Sequence, residues 1–203
     1  MEEPERKTSC DRCGSCCLQG GPALHTGDLE LIRSGSLALD DLITIRRGEF
    51  ALRPLSETPE SVDCEFIKIQ GKSAEWCCKF YDATQKACTI YQKRPLACGL
   101  FDCTAPEAVL AIIGKDLLSR FDCVADDDPL LPLMRLHEQE CPYPDMKVIA
   151  DRLQAESERS DTLLELTRLV KLDLGFRTRA VRRHGLSVAR EMFYFGRPLF
   201  QML

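Results

Sequence analysis

The chain has 203 residues, 44% of them apolar and 29% charged, with a net charge of −5. That balance excludes a disordered chain, and no apolar run reaches the ~18 residues of a membrane-spanning helix. Its 12 cysteines are the departure from the ordinary. A secreted disulfide scaffold of that density is shorter and carries an export signal, whereas thiol-rich proteins of reducing compartments use thiolates as metal ligands.

Residues 1–9, MEEPERKTS, read as a flexible leader without the apolar stretch of a secretory signal, so a cytoplasmic location is expected. Residues 10–21, CDRCGSCCLQGG, hold too much cysteine and glycine for a regular element and read as a ligand loop. Thr26 is a predicted N-cap, with Leu29 and Ile32 on the apolar side of the helix and Gly35 as its stop. A second short helix is predicted over 38–43. Residues 64–69 alternate as a short strand does, 70–73 offer a turn, and a partner strand is expected near 76–80.

From Pro106 the pattern turns helical. Val109, Leu110, Ile112, Ile113, Leu117, Leu118 and Phe121 recur at helical spacing up to a break at 126–129. Met146, Ile149, Ala150 and Leu153 open another helix. Ser160 and Asp161 are expected to cap the next, with Leu163, Leu166, Leu169 and Val170 on one face and Gly175 as its stop. A last helix is predicted over 178–194. The fold class expected is mainly α, with irregular cysteine-rich loops and at most a small β-hairpin. In that organisation 1–9 is the leader, 10–104 a metal-centred region, and 105–203 a helical region packed on it as a single compact unit.

Charge is unevenly spread. From Gly175 onward six arginines (Arg177, Arg179, Arg182, Arg183, Arg190, Arg197) face Glu191 alone, a net +5, which leaves −10 on the preceding residues. The overall acidity gives no support to nucleic-acid binding. The basic tail reads as a solvated helix face, or as the docking element for an acidic protein partner.

The chemistry lies in the thiols. Cys10, Cys13, Cys16 and Cys17 fall within eight residues, and their two-residue gaps let thiolates on one tight loop face a single ion or cluster. Gly14 permits the turn. Adjacent Cys16 and Cys17 are expected to point apart, one as ligand and one as core, or toward different centres. The second group is Cys77, Cys78, Cys88, Cys98 and Cys103. Nine residues separate Cys78 from Cys88 and Cys88 from Cys98, a spacing that fits ligands arriving from successive loops. Arg94 and Pro95 precede Cys98; the proline fixes backbone direction and the guanidinium can offset thiolate charge. Tyr91 and Phe80 are expected to shield the site.

With CDRCGSCC at 10–17, CKFYD at 78–82, CTIY at 88–91 and RPLAC at 94–98, the sequence resembles the CxxCxxCC cysteine-cluster family, the YkgJ-type zinc- or iron-chelating proteins. The resemblance covers about residues 10–103 and implies an iron–sulfur or zinc-binding domain. One branch, similar to flagellin lysine N-methylases, is linked to methyl transfer, but no glycine-rich nucleotide motif here supports it.

Seven cysteines match the family pattern, and a structural zinc site needs only four, so the surplus favours an iron–sulfur cluster, [4Fe–4S], with zinc as the alternative. The expected cofactor ligands are drawn from Cys10, Cys13, Cys16, Cys17, Cys78, Cys88 and Cys98, with Cys103 the next candidate for the metal. Cys64, Cys77, Cys123 and Cys141 read as small buried hydrophobes. His25, His137 and His184 read as surface or capping residues. Three functions are compatible: redox or electron transfer, including service to an oxidoreductase; a cluster- or zinc-dependent protein-modifying or maturation enzyme; and a structural metal-binding subunit. No Ser/His/Asp or paired-carboxylate arrangement stands out.

Overall fold

A computed structural model describes residues 10–52, 58–72 and 76–202. The leader 1–9 and the turn residue Ser73 lie outside them. Two short helices come first, α1 (Ser15–Leu18) and α2 (Leu29–Arg33). Eight short strands follow: β1 (Leu42–Ile45), β2 (Phe50–Leu52), β3 (Pro59–Ser61), β4 (Phe66–Ile69), β5 (Gly71–Lys72), β6 (Cys77–Cys78), β7 (Tyr81–Asp82) and β8 (Ala87–Cys88). The rest is helical: α3 (Leu96–Leu100), α4 (Glu107–Leu110), α5 (Arg120–Cys123), α6 (Leu131–Glu140), α7 (Met146–Gln154), α8 (Glu156–His184) and α9 (Val188–Phe195). The architecture is mainly helical with small antiparallel strand pairs, as expected. Among the described residues no helix is long and apolar enough to cross a membrane.

The chain forms two units, one of Met1–Leu42 with Ile67–Leu118 and the other of Ile43–Phe66 with Ser119–Leu203. In the first unit, extended segments knit through the backbone: Leu24 N–H donates to Ile67 O, Ile67 N–H to Leu118 O, and Leu118 N–H to Leu24 O, each at 2.9 Å. Their side chains, with Leu37, Ile69 and Leu42, are almost fully buried. The expected helix across 109–121 is therefore broken: its start lies in α4, Phe121 lies in the separate α5, and the chain between is not helical. Gly114 and Asp116 adopt left-handed φ of 70° and 49°, which ends helical geometry and sends Leu117 and Leu118 into extended pairing. The predicted helix over 38–43 is a 3-10 turn at Leu39–Asp41 that runs into β1. Gly71 and Lys72, expected in a turn, form β5 and pair with β6.

The second unit is built on α8. Asp145 caps α7 by accepting the N–H of Lys147 and Val148 at 3.0 and 3.1 Å, and Ser187 caps α9 through Arg190 N–H at 3.1 Å. α8 runs unbroken through Ser160, Asp161 and Gly175, so neither the predicted cap nor the predicted stop ends it. A lone glycine inside a helix costs only about 1 kcal/mol relative to alanine, and tertiary packing overrides it. The stop comes ten residues later at Gly185, whose left-handed φ of 63° closes the helix. The single predicted helix over 178–194 is thus the end of α8 plus α9.

The buried stripe of α8 reads Thr162, Leu166, Asp173, Phe176, Arg177 and Ala180. Leu163, expected on that stripe, is half exposed. Asp173 and Arg177 pair at 2.9 Å, and Arg177 also donates to Glu191 and to the carbonyls of Phe195, Gly196 and Arg197. Arg197 pairs with Glu49. Two of the six tail arginines are therefore internal struts, while Arg179, Arg182, Arg183 and Arg190 are exposed. A second knot holds Arg120, 0% exposed, between Glu65 and Glu138, with its Nη1 donating to Tyr194 O at 2.8 Å.

His137, expected at the surface or in a cap, is wholly buried. Its ring lies 5.0 Å from that of Phe176 and 4.9 Å from that of Phe195, and Nε2 donates to Asp173 Oδ1 at 2.8 Å. Burial drives the imidazole down from 6.5 to about 4, against the pull of Asp173. Burial also pushes Asp173 up, but the bonds from His137, Arg177 and Leu199 N–H overcome it and hold the carboxylate at about 2. The folded state refuses a proton that the unfolded chain accepts below 6.5, so His137 costs stability as pH falls through that window. Between pH 7 and 5 the loss is on the order of 2 kcal/mol. His137→Gln keeps a donor for Asp173 and should flatten that part of the urea-unfolding profile followed by circular dichroism. An equal slope in wild type and variant would contradict the assignment.

Candidate metal centre

The cysteine loop is shaped by two left-handed residues, Arg12 at φ 57° and Gly14 at φ 82°. Cys10 enters it with its N–H donating to Tyr91 Oη at 3.2 Å, and its Sγ accepts the N–H of Arg12 at 3.3 Å. Cys13 Sγ lies 3.4 Å from Ser15 Oγ. α1 then carries Cys16 and Cys17. Their sulfurs are 3.9 Å apart, so the adjacent pair does not diverge as expected.

Gly14 is required twice. Its φ strains any L side chain, and a Cβ there would overlap the Tyr81 hydroxyl and ring. Tyr81, on β7, is buried beneath the loop. Gly14→Ala should lower metal content of the purified protein several-fold, and adding Tyr81→Ala should recover part of it. Full loading of the single variant would show that the loop tolerates a different path. Gly21 has a similar role, since a Cβ there would strike the backbone and side chain of Ile69 on β4.

The second group arrives on two hairpins and a helix. β5 pairs with β6 with Gly71 opposite Cys78 and Lys72 opposite Cys77, and α1 packs against β6. Successive strand residues face opposite sides, so Cys77 and Cys78, both buried, point apart. β7 pairs with β8 with Tyr81 opposite Cys88. The Asp82 carboxylate closes that hairpin by accepting the N–H of Thr84 and Gln85 at 2.8 and 3.1 Å. Cys98 sits in α3 after Pro95. The Asp28 carboxylate, 2% exposed, accepts Leu96 N–H at 2.7 Å and His25 N–H at 2.9 Å, tying the start of α3 to the 25–28 turn. His25 itself is buried, with Nδ1 donating to Lys115 O at 2.8 Å.

The thiols of these elements act on one another. Burial first, then the neighbouring thiolate charges of Cys16, Cys78 and Cys88, push the Cys17 thiol far up. Burial and the charges of Cys78, Cys16 and Cys88 raise Cys98 to about 12, with Arg94 pulling the other way. Burial and Cys88 raise Cys78. Cys13 alone moves down, through its hydrogen bond with Ser15. Cys16, Cys17, Cys78, Cys88 and Cys98 therefore share one electrostatic neighbourhood. Arg94 stands over the Tyr91 ring at 4.0 Å, in the charge-offsetting place its position suggested.

Of the remaining predicted ligands, Cys10 and Cys13 are exposed at the loop's entry and Cys103 is exposed beyond α3. Cys64 is exposed rather than buried, Cys77 and Cys141 are buried, and Cys123 donates to Ser119 O at 3.3 Å. Asp28 and Tyr81 are positioning residues that the sequence alone did not single out; His25, read as a surface or capping residue, is the buried N-cap of the 26–28 turn in place of Thr26. An all-thiolate donor set beside one guanidinium, with Cys78 buried and Cys17, Cys88 and Cys98 half-buried, suits zinc or an iron–sulfur cluster and not a hard oxygen-seeking cation. Placing a metal there strips protons from thiols that burial keeps protonated, so uptake weakens in acid.

The sequence profile named CxxCxxCC, described as a putative zinc- or iron-chelating domain, matches residues 9–114. No curated protein and no solved structure matches the chain.

Proposed function

Because the chain belongs to the CxxCxxCC family of metal-chelating domains, we propose that its first unit holds a [4Fe–4S] cluster for electron transfer, on its own or in service of an oxidoreductase. The observation that carries this reading is the shared neighbourhood of five thiols from α1, β6, β8 and α3. What favours a cluster over zinc is the surplus of thiols: seven cysteines match the family pattern, and a tetrahedral zinc site uses four.

Such a cluster takes up and releases single electrons. The protein's part is to hold it and set its surroundings. Cys78 supplies a buried thiolate and Cys98 a half-buried one, and Cys16, Cys17 and Cys88 close the set. Arg94 offsets negative charge, and Tyr81 and Tyr91 cover two sides. Anaerobically purified protein should be brown, contain about four iron and four sulfide per chain, and give an electron paramagnetic resonance signal on reduction. Colourless protein with stoichiometric zinc would make the centre a structural one.

A further inference from the structure

The second unit contains a donor set that the cysteine motif does not account for. His137 and Cys141, four residues apart at the end of α6, share one helix face, and Cys141 N–H donates to His137 O at 2.8 Å. Asp173 of α8 faces them. One atom each from the imidazole, the thiol and the carboxylate lie within 4.8 Å of one another, and all three residues are buried. A simple hydrogen bond explains His137 and Asp173 but leaves loose ends. Buried His137 Nδ1 and Tyr143 Oη have no hydrogen-bond partner among the described residues. A small cavity of about 10 Å³ is bordered by Arg46, Cys141, Tyr143, Leu169, Asp173 and Leu199. It is the size of roughly one water.

We propose that His137, Cys141 and Asp173 form a second metal site, for a single zinc-class divalent cation. One nitrogen, one sulfur and one oxygen is a donor set that zinc accepts at about 2.0–2.3 Å, and three protein ligands leave a fourth position for water. The cavity provides that position, and Tyr143 Oη gains its missing partner there. Cys141 releases its thiol proton to solvent. Nε2, the ring nitrogen that faces Asp173, takes the metal and its proton passes to Nδ1, so the ion replaces the present hydrogen bond between them. Carboxylate and thiolate neutralise the ion, so the flanking Arg46 and Arg177 keep their pairing with Glu138 and Glu191. The site links α6 to α8 and is independent of the N-terminal thiols.

The test uses the full chain, purified anaerobically and then dialysed with Zn2+ or Co2+. Wild type should retain one more equivalent of zinc than Cys141→Ala, with iron content equal in the two. The Co2+ form should lose one thiolate charge-transfer contribution in the variant. Asp173→Asn serves as the second variant if the first fails to fold. Zinc-edge X-ray absorption of the wild type reads the site without any variant, and one sulfur among nitrogen and oxygen neighbours is expected. Equal zinc in folded wild type and variant, or a zinc shell of sulfur only, would overturn the proposal.

Discussion

Replacing Cys98 with serine should empty the metal centre. Cys98 is among the most strongly perturbed thiols of the group, raised to about 12 by burial and by the charges of Cys78, Cys16 and Cys88. A half-buried sulfur in that company is stable as a thiolate only when a metal balances it. Serine's hydroxyl deprotonates far less readily and binds iron or zinc poorly. Metal per chain should fall tenfold or more, while the helical circular dichroism of the second unit is kept. Cys64→Ser, exposed and in the other unit, should leave metal content unchanged. A folded Cys98→Ser protein with full metal would remove Cys98 from the ligand set.

The largest effect on stability is expected at Arg177. Its guanidinium, 3% exposed, holds Asp173 and Glu191 and three carbonyls just beyond α9. Arg177→Met keeps most of the volume and removes the charge and all five donors. Asp173 then keeps its buried charge with only His137 and the Leu199 N–H left to bind it. Breaking a buried pair on one side costs about 3–5 kcal/mol, and for a chain of this size that lowers the melting temperature by about 10 °C or more. The same substitution at exposed Arg183 should stay within about 0.5 kcal/mol. Thermal melts of the two variants distinguish a strut from a solvated face, and equal melting temperatures would contradict the role given to Arg177.

What the sequence made legible follows from how far each signal reaches along the chain. The cysteine motif is local, and its glycine and spacings announced a ligand loop directly. That Cys16 and Cys17 stay together was not readable, because the short α1 that orients them follows a left-handed Gly14, and Gly14 answers to Tyr81 nearly seventy residues away. α8 was misread for a related reason. Its buried stripe contains Thr162, Asp173 and Arg177 beside Leu166, so hydrophobic periodicity found only part of the buried face, took in exposed Leu163 and made Gly175 look like an end. Leu117 and Leu118 looked helical because a buried extended segment is as apolar as a helix face. His137 gave no sign of burial, since a histidine becomes a core residue only when a partner such as Asp173 arrives from another helix.

The account rests on thiolates from the CDRCGSCC loop and from the 78–98 region binding the same inorganic atoms. Anomalous diffraction from anaerobically grown crystals, recorded at the iron and zinc edges, measures this directly. A single iron-edge feature in the first unit, within bonding distance of sulfurs from α1 and from Cys78, Cys88 or Cys98, is the result expected. Metal held by the loop's cysteines alone, with the later sulfurs standing free of it, would contradict the account.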